Sequence, residues 1–363
     1  MGVTPSKAVT SKESGGGRSE CLSWGFSGMQ GWRPRMEDSH FAFGSLGKFG
    51  GGDWADTAAF GVLDGHGGRE VAFFCQQRLP SAIAQQERSN PEAALVKAIE
   101  GMDKLLGMEE EHAYLRSFTG KTRECHLEGP YRVGCTAIVC LVQPDCIIAA
   151  NVGDSRAILC RQGLAVPLSE DHKPNLSSER HRIELAGGSV ERQQIGELVQ
   201  YRVNGNLNLS RSIGDLDYKR NPRLSPSEQI ISSTPDIVQC ARSPSDEFLL
   251  LACDGIWDMM SNQDAVDFVS ARLQKVREGQ PIALITEELL DACFAPDLSK
   301  TGGLGGDNMT ALLVLLKDPE DYKNMQPFAT AKVPQVSLHS VASRLPSSVF
   351  CSCQPDAMSR YSL

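Results

Sequence analysis

Six short apolar runs, TAAFGVLD, CTAIVCLV, CIIAANVGD, RAILCR, EFLLLACD and TALLVLLK, are bounded by turn residues and read as β-strands. Their links limit how they pair. Only Gln143, Pro144 and Asp145 separate the second run from the third, and Gly153, Asp154 and Ser155 lie between the third and the fourth. Links this short force antiparallel neighbours, because a parallel crossover needs a dozen or more residues. The middle of the chain is therefore expected to be an antiparallel meander.

Helical periodicity is present in residues 69–86, 91–116, 177–186, 261–277 and 281–294; in the last, Ile282, Ile285, Leu289, Leu290 and Cys293 share a face. Strands run together and helices come in pairs, which gives an α+β architecture with sheet packed on sheet and helices outside. Residues 1–20, rich in Gly, Ser and Lys without apolar periodicity, are expected to be disordered. Residues 21–318 contain no linker and form one large domain, and 319–363 lose the apolar runs and read as a mostly disordered tail. No internal repeat is visible.

With 41% hydrophobic and 22% charged residues, the chain has a soluble, globular composition. Its net charge of -9 argues against a general nucleic-acid binder and is compatible with carboxylates gathered around a cation. The 12 cysteines sit mostly alone in apolar runs, as small buried hydrophobes do in a reducing compartment. The close pair Cys351 and Cys353 has no second pair at zinc-site spacing. Without a membrane span or signal-peptide core, the expected location is cytoplasmic or nuclear. The start MGVTPS fits N-myristoylation at Gly2 and equally a chance serine in a disordered segment; one such lipid, with Lys7 and Lys12, would give only weak membrane association. In the absence of a long exposed heptad, a monomer is expected.

Acidic residues recur where apolar runs end: Asp64 in VLDGHGG, Asp254 in LLLACDGIWD, Asp154 in ANVGDSR and Asp307 in GGLGGDNMT, with Glu37 and Asp38 in MQGWRPRMEDSH. A charge after buried residues is costly unless compensated. Mg²⁺ and Mn²⁺, which take oxygen ligands, would compensate it, and Gly65 would let its carbonyl approach an ion. Singly these residues are weak signals, since Asp-Gly often marks only a turn. A turn is at least as good a reading for Asp154, Asp258 reads as a helix-region or surface acid, and His66 alone reads as a satisfied loop histidine. Four Asp-Gly or Gly-Asp sites that each adjoin a strand carry more weight.

In order, RPRMEDSH, VLDGHGG, GCTA, NVGDSRA, DHKPN, VNGNLNLSRSIGD, ACDGIWD and GDNMT resemble the motif series of the metal-dependent Ser/Thr protein phosphatases, the PPM or type 2C family, over roughly residues 22–317. The resemblance implies a four-layer sandwich of two central antiparallel sheets flanked by pairs of helices, with two Mg²⁺ or Mn²⁺ ions at one end. It implies that Asp64 bridges the ions, that the Gly65 carbonyl binds one, and that Asp254 and Asp307 bind the other. Glu37 and Asp38 would hold metal-bound waters, and Asp154 with Asp254 would match a weaker third position. Arg33 would grip the phosphate of a phosphoprotein substrate, and His66 would protonate the leaving alkoxide after attack by a bridging hydroxide. Thr136 reads equally as a plain strand residue or as one that orients an aspartate, and Asp215 as a structural acid. The stretch ERQQIGELVQY lengthens the flap region beyond the compact family form, and TGGLGG before Asp307 reads as a loose loop. Two other classes remain open: a metal-free binding protein on the same fold, which the intact ligand set disfavours, and a two-metal enzyme acting on phosphodiesters or small phosphate esters.

Overall fold

The computed structural model describes residues 5–49, 52–118, 131–195, 198–275, 279–318 and 321–322. Gly2, the pair Cys351 and Cys353, and nearly all of the expected tail lie outside them. In chain order the strands are β1 (Val9–Arg18), β2 (Ser23–Gly31), β3 (Ser39–Phe43), β4 (Ala58–Leu63), β5 (Gly65–His66), β6 (Gly134–Cys135), β7 (Ala137–Val142) and β8 (Cys146–Val152). There follow β9 (Arg156–Arg161), β10 (Leu164–Pro167), β11 (Val190–Ile195), β12 (Leu198–Val203), β13 (Ile213–Gly214), β14 (Asp236–Ala241), β15 (Asp246–Ala252) and β16 (Met309–Leu315). The helices are α1 (Glu70–Ala84), α2 (Pro91–Leu106), α3 (Glu109–Ser117), α4 (Ser177–Leu185), α5 (Asp254–Trp257), α6 (Asn262–Leu273) and α7 (Ala283–Cys293).

Two antiparallel sheets stack face to face, one ordered β1-β2-β16-β15-β9-β10 and the other β14-β8-β7-β4-β3. The period-2 geometry of a strand sends alternate residues to opposite faces, so each central strand feeds two apolar layers. Phe60, Val62, Ile138 and Cys140 meet Leu249, Leu251, Leu312 and Val314 between the sheets. Leu63, Val139 and Leu141 face α1 and α2, while Leu250, Leu313 and Leu315 face α6 and α7. Three cores separate four layers, as the family resemblance implies. Burial on both faces is why these strands read as continuous apolar runs.

The link Gly153-Asp154-Ser155 corrects the expected meander. β7 and β8 do form a hairpin, but β8 pairs with β7 and β14, while β9 pairs with β15 and β10 in the other sheet. The chain therefore crosses between sheets there. Stacked sheets lie ~10 Å apart, a gap that three extended residues can span. Gly153, at a φ of 110°, makes the corner, and Asp154 sits buried in it.

The N-terminal segment is a second correction, because residues 9–18 form the edge strand β1, paired with β2 from Val9↔Gly31 to Arg18↔Ser23. The glycines that resemble disorder in composition make that pairing possible. Gly15 and Gly17 lie under the rings of Phe26 and Trp24, with ring atoms 2.6 and 2.4 Å from where a Cβ would stand, and Gly16 lies as close to the Trp24 carbonyl, at 2.3 Å. Aromatic residues covering glycines on a neighbouring strand help to pin register. Within the expected tail, Tyr322 is buried against the α6 and α7 side and its hydroxyl donates to the Glu247 carbonyl at 2.5 Å.

The region expected to form the flap holds a β11–β12 hairpin beside α4, with a small core of Ile183, Val203 and Ile231. Beneath it Glu179 is 2% exposed and accepts from Arg182 Nη1, Arg211 Nη2 and Ser210 Oγ, each at 2.7 Å. Burial would raise its carboxyl pKa, but Arg211 and Arg182 outweigh burial and hold it at about 2.

Replacing Gly16 by Val should cost about 1–3 kcal/mol by overpacking β1 on β2, read as a lower urea midpoint. An unchanged midpoint would mean that β1 adds nothing to stability. Because the folded pKa of Glu179 is depressed, its stabilisation is full above the unfolded value of about 4.3 and is lost as pH falls through about 2. The wild type should lose about 3 kcal/mol over that window through this group. Glu179→Gln should lack that component when unfolding free energy is measured against pH.

Candidate active site

All the acidic residues singled out in the sequence come to one end of the sandwich, and antiparallel pairing explains why. The end of β15 lies beside the starts of β16 and β9, through Ala252↔Ala311 and Ala252↔Arg156. In the facing sheet the start of β3 lies beside the end of β4, through Ser39↔Leu63. Asp254 follows β15, Asp307 precedes β16, Asp64 follows β4, Glu37 and Asp38 precede β3, and Asp154 occupies the corner after β8. Residues distant in sequence therefore share one rim.

Carboxylates held this close raise one another's pKa. Asp64 titrates well above its ordinary range because it is desolvated and faces Asp38, Asp254, Asp307 and Asp154. Asp254 is raised in the same direction by burial and then by Asp154, Asp307 and Asp258. Burial lifts Asp38 to about 7, against the hydrogen bond that Thr310 Oγ1 donates to its Oδ2 at 2.7 Å. Glu37 is raised mainly by desolvation, with His66 opposing. Ligand atoms of Asp38, Asp64 and Cys253 lie within 4.8 Å of one another. Burial keeps the Cys253 thiol protonated, so the oxygens are the donors suited to a hard cation.

Gly65 is fixed by sterics. A Cβ there would stand 2.4 Å from the Glu37 carbonyl oxygen, so only glycine lets the Glu37 loop close over Asp64. Thr136 resolves to an orienting role: its Oγ1 accepts from the Asp64 amide at 3.2 Å, and its own amide donates to the Asp64 carbonyl at 2.8 Å. His66 Nε2 bonds Asp215 Oδ2 at 2.7 Å, and Ser212 Oγ donates to the same oxygen at 2.6 Å. Burial would lower the His66 pKa, but the Asp215 carboxylate outweighs burial and raises it. Arg33, with its side chain 58% exposed, reaches Asp307 Oδ2 through Nη2 at 2.5 Å.

Three neighbours were not legible as site residues. Lys173, part of the DHKPN motif, pairs its ammonium with Asp154 Oδ2; burial alone would lower its pKa, and Asp154 and Asp254 raise it strongly instead. Asp258, read as a helix-region or surface acid, caps the end of α5 and opens to solvent, yet it faces Asp154, Asp307 and Lys173, and desolvation first and then Asp154 lift it to about 6 against Lys173. Asp215, read as purely structural, is the partner of His66. Their places within DHKPN, GIWD and SRSIGD were the available signal.

Comparison with known proteins shows the family. The family model for protein phosphatase 2C matches residues 22–302. A probable protein phosphatase 2C of Oryza sativa subsp. japonica is 38% identical over 352 residues, covering 88% of this chain and 92% of its own. Protein phosphatase 2C homolog 2 of Schizosaccharomyces pombe is 41% identical over 318 residues, covering 86% and 78%. The crystal structure of a phosphatase from a pathogenic strain of Toxoplasma gondii superposes with a TM-score of 0.65 at 25% identity, covering 84% of this chain and 95% of that one. With its two-sheet sandwich, its acidic rim and a family match across most of its length, this chain belongs to the protein phosphatase 2C family of metal-dependent Ser/Thr phosphatases.

Proposed function

We propose that this chain hydrolyses phosphoserine and phosphothreonine monoesters in proteins at the acidic rim, with Mg²⁺ or Mn²⁺ held by Asp64, the Gly65 carbonyl, Asp254 and Asp307, and with Glu37 and Asp38 acting through water. The observation that carries this reading is a local excess of negative charge. Asp38, Asp64, Asp154, Asp254 and Asp307 face one another, and Lys173 and Arg33 are the cations paired with them. Asp38 Oδ1 is buried with no hydrogen-bond partner among the described residues. An all-oxygen donor set with an orphaned carboxylate oxygen fits a hard divalent cation. When bound, such ions supply an activated water and neutralise charge on the phosphoryl group.

The remaining work falls to side chains. Arg33 offers a planar fork for two phosphate oxygens, with Asp307 holding the guanidinium at the rim until substrate arrives. His66 gives its Nε2 hydrogen to Asp215, so Nδ1 is the nitrogen that passes a proton to the serine or threonine oxygen as it leaves. Asp215 orients the ring and stabilises its charged form. At Asp154 the Lys173 ammonium already occupies one carboxylate oxygen, so a third ion there competes with a cation and binds more weakly.

Purified protein should release phosphate from a phosphothreonine peptide with Mn²⁺ or Mg²⁺ and not with EDTA. Asp64→Asn and Asp254→Ala should each lose at least about 10²-fold in rate. A well-folded protein inactive with every metal would sink this reading and favour a metal-free binding role, and faster turnover of a phosphodiester would favour the nucleotide-directed alternative. His66→Ala should cost about 10²–10⁴ on alkyl phosphates and far less on activated aryl phosphates, whose leaving groups need no proton. Equal losses on both substrates would remove His66 from the general-acid role.

A further inference from the structure

We propose that Asn308 is the positioning residue that fixes both Arg33 and Glu37, an inference resting on the phosphate-binding role proposed for Arg33. Residues 32–38, between β2 and β3, form no helix or strand, so their backbone groups need other partners. Asn308 supplies them from a buried position, 6% exposed, one residue before β16. Its Nδ2 donates to the Gln30 carbonyl at 2.8 Å and to the Arg35 carbonyl at 3.0 Å, and its Oδ1 accepts from the Glu37 amide at 2.9 Å. One side-chain amide thus holds the end of β2 before Arg33 and the loop after Arg33 and at Glu37.

The same residue ties this loop to Asp307, because the Asn308 amide donates to Asp307 Oδ1 at 2.7 Å while Asp307 Oδ2 receives Arg33. Other contacts close the loop around that staple. Gln30 Nε2 donates to the Arg33 carbonyl at 2.9 Å. The Trp32 amide donates to the Gly306 carbonyl at 3.0 Å, and its indole nitrogen donates to the Ala295 carbonyl at 2.9 Å. A side-chain amide is required by the donor count. Two hydrogens and an acceptor on one planar group match two carbonyls and one N–H, whereas aspartate would set a charge against two carbonyl oxygens. Arg33 thereby inherits the rigidity of β16, although its own side chain is exposed. Small displacements of such a group cost as much as ~10²-fold in rate.

The test compares wild type, Asn308→Ala and Asn308→Asp, the last conserving volume should the alanine variant not fold. Amide hydrogen exchange is read at Glu37, and phosphopeptide kinetics are read with and without Arg33→Ala. In Asn308→Ala the Glu37 amide should exchange at least about tenfold faster, and KM should rise about tenfold. Asn308→Asp, which keeps the acceptor, should retain more Glu37 protection while still raising KM. Combined with Arg33→Ala, Asn308→Ala should add little further to KM, since both act through one group. Unchanged Glu37 exchange, or equal KM increments in both Arg33 backgrounds, overturns the assignment. Glu37 exchange reads the staple even if wild type releases no phosphate, so failure of the hydrolytic reading is distinguishable.

Discussion

The burial and crowding of carboxylates at one end of a β-sandwich is the constraint on which the rest of this structure depends. Asp38, Asp64 and Asp254 are all driven above the ordinary carboxylate range, first by desolvation and then by neighbouring carboxylates, which means that the fold holds them there against their electrostatic preference. What holds them there is sheet pairing: Ala252↔Ala311 and Ser39↔Leu63 leave the flanking acids no choice of direction. The apolar layers supply the favourable free energy, and the rim uses part of it. Strain of this kind collects where a protein acts on ligands.

The rim has an inner wall and a mouth. Inside, Asp38 is fixed by Thr310 and the Asp64 backbone by Thr136, whose hydroxyl also meets Ser155 at 2.7 Å. Outside, Arg33 and Asp258 are open to solvent, and the Asp307 side chain is a third exposed. A fixed inner wall suits ligands that must not move, while an open mouth suits groups that exchange one partner for another. Arg33 meets Asp307 through one nitrogen and one oxygen, Nη2 on Oδ2, which leaves the rest of its exposed fork open to solvent.

Much of this was legible in the sequence, and the failures share a cause. Strands buried on both faces, such as β7, β8 and β15, stand out as apolar runs. β1 and β14 lie at sheet edges, with mostly exposed residues, and give no such signal. The rule that short links join antiparallel neighbours holds for Gln143-Pro144-Asp145 and fails for Gly153-Asp154-Ser155, because local sequence does not distinguish a turn within a sheet from a step between sheets. The acids themselves could be located, since each follows or precedes a strand. Their partners could not: Lys173 on Asp154, Asp215 on His66 and Asn308 on the Glu37 loop are contacts that only the folded chain creates.

The sheet-to-sheet step also shows how the flap and the rim are joined. The Gly153 amide donates to His172 Nδ1 at 3.1 Å, which leaves the Nε2 hydrogen for Asp236 Oδ2 at 3.1 Å. That bond, with Arg211 at 2.6 Å from Oδ1, holds the Asp236 carboxyl far below its ordinary range, and Arg211 in turn reaches Glu179 beneath the flap. A continuous polar chain therefore runs from the corner bearing Asp154 to Glu179 in α4. Each member is satisfied by the next, so loss of one leaves a charge or a buried donor without its partner. The hairpin is consequently not a free appendage: Val203 of β12 packs on Ile183 of α4, and α4 is tied through Glu179, Arg211, Asp236 and His172 to the corner that bears Asp154.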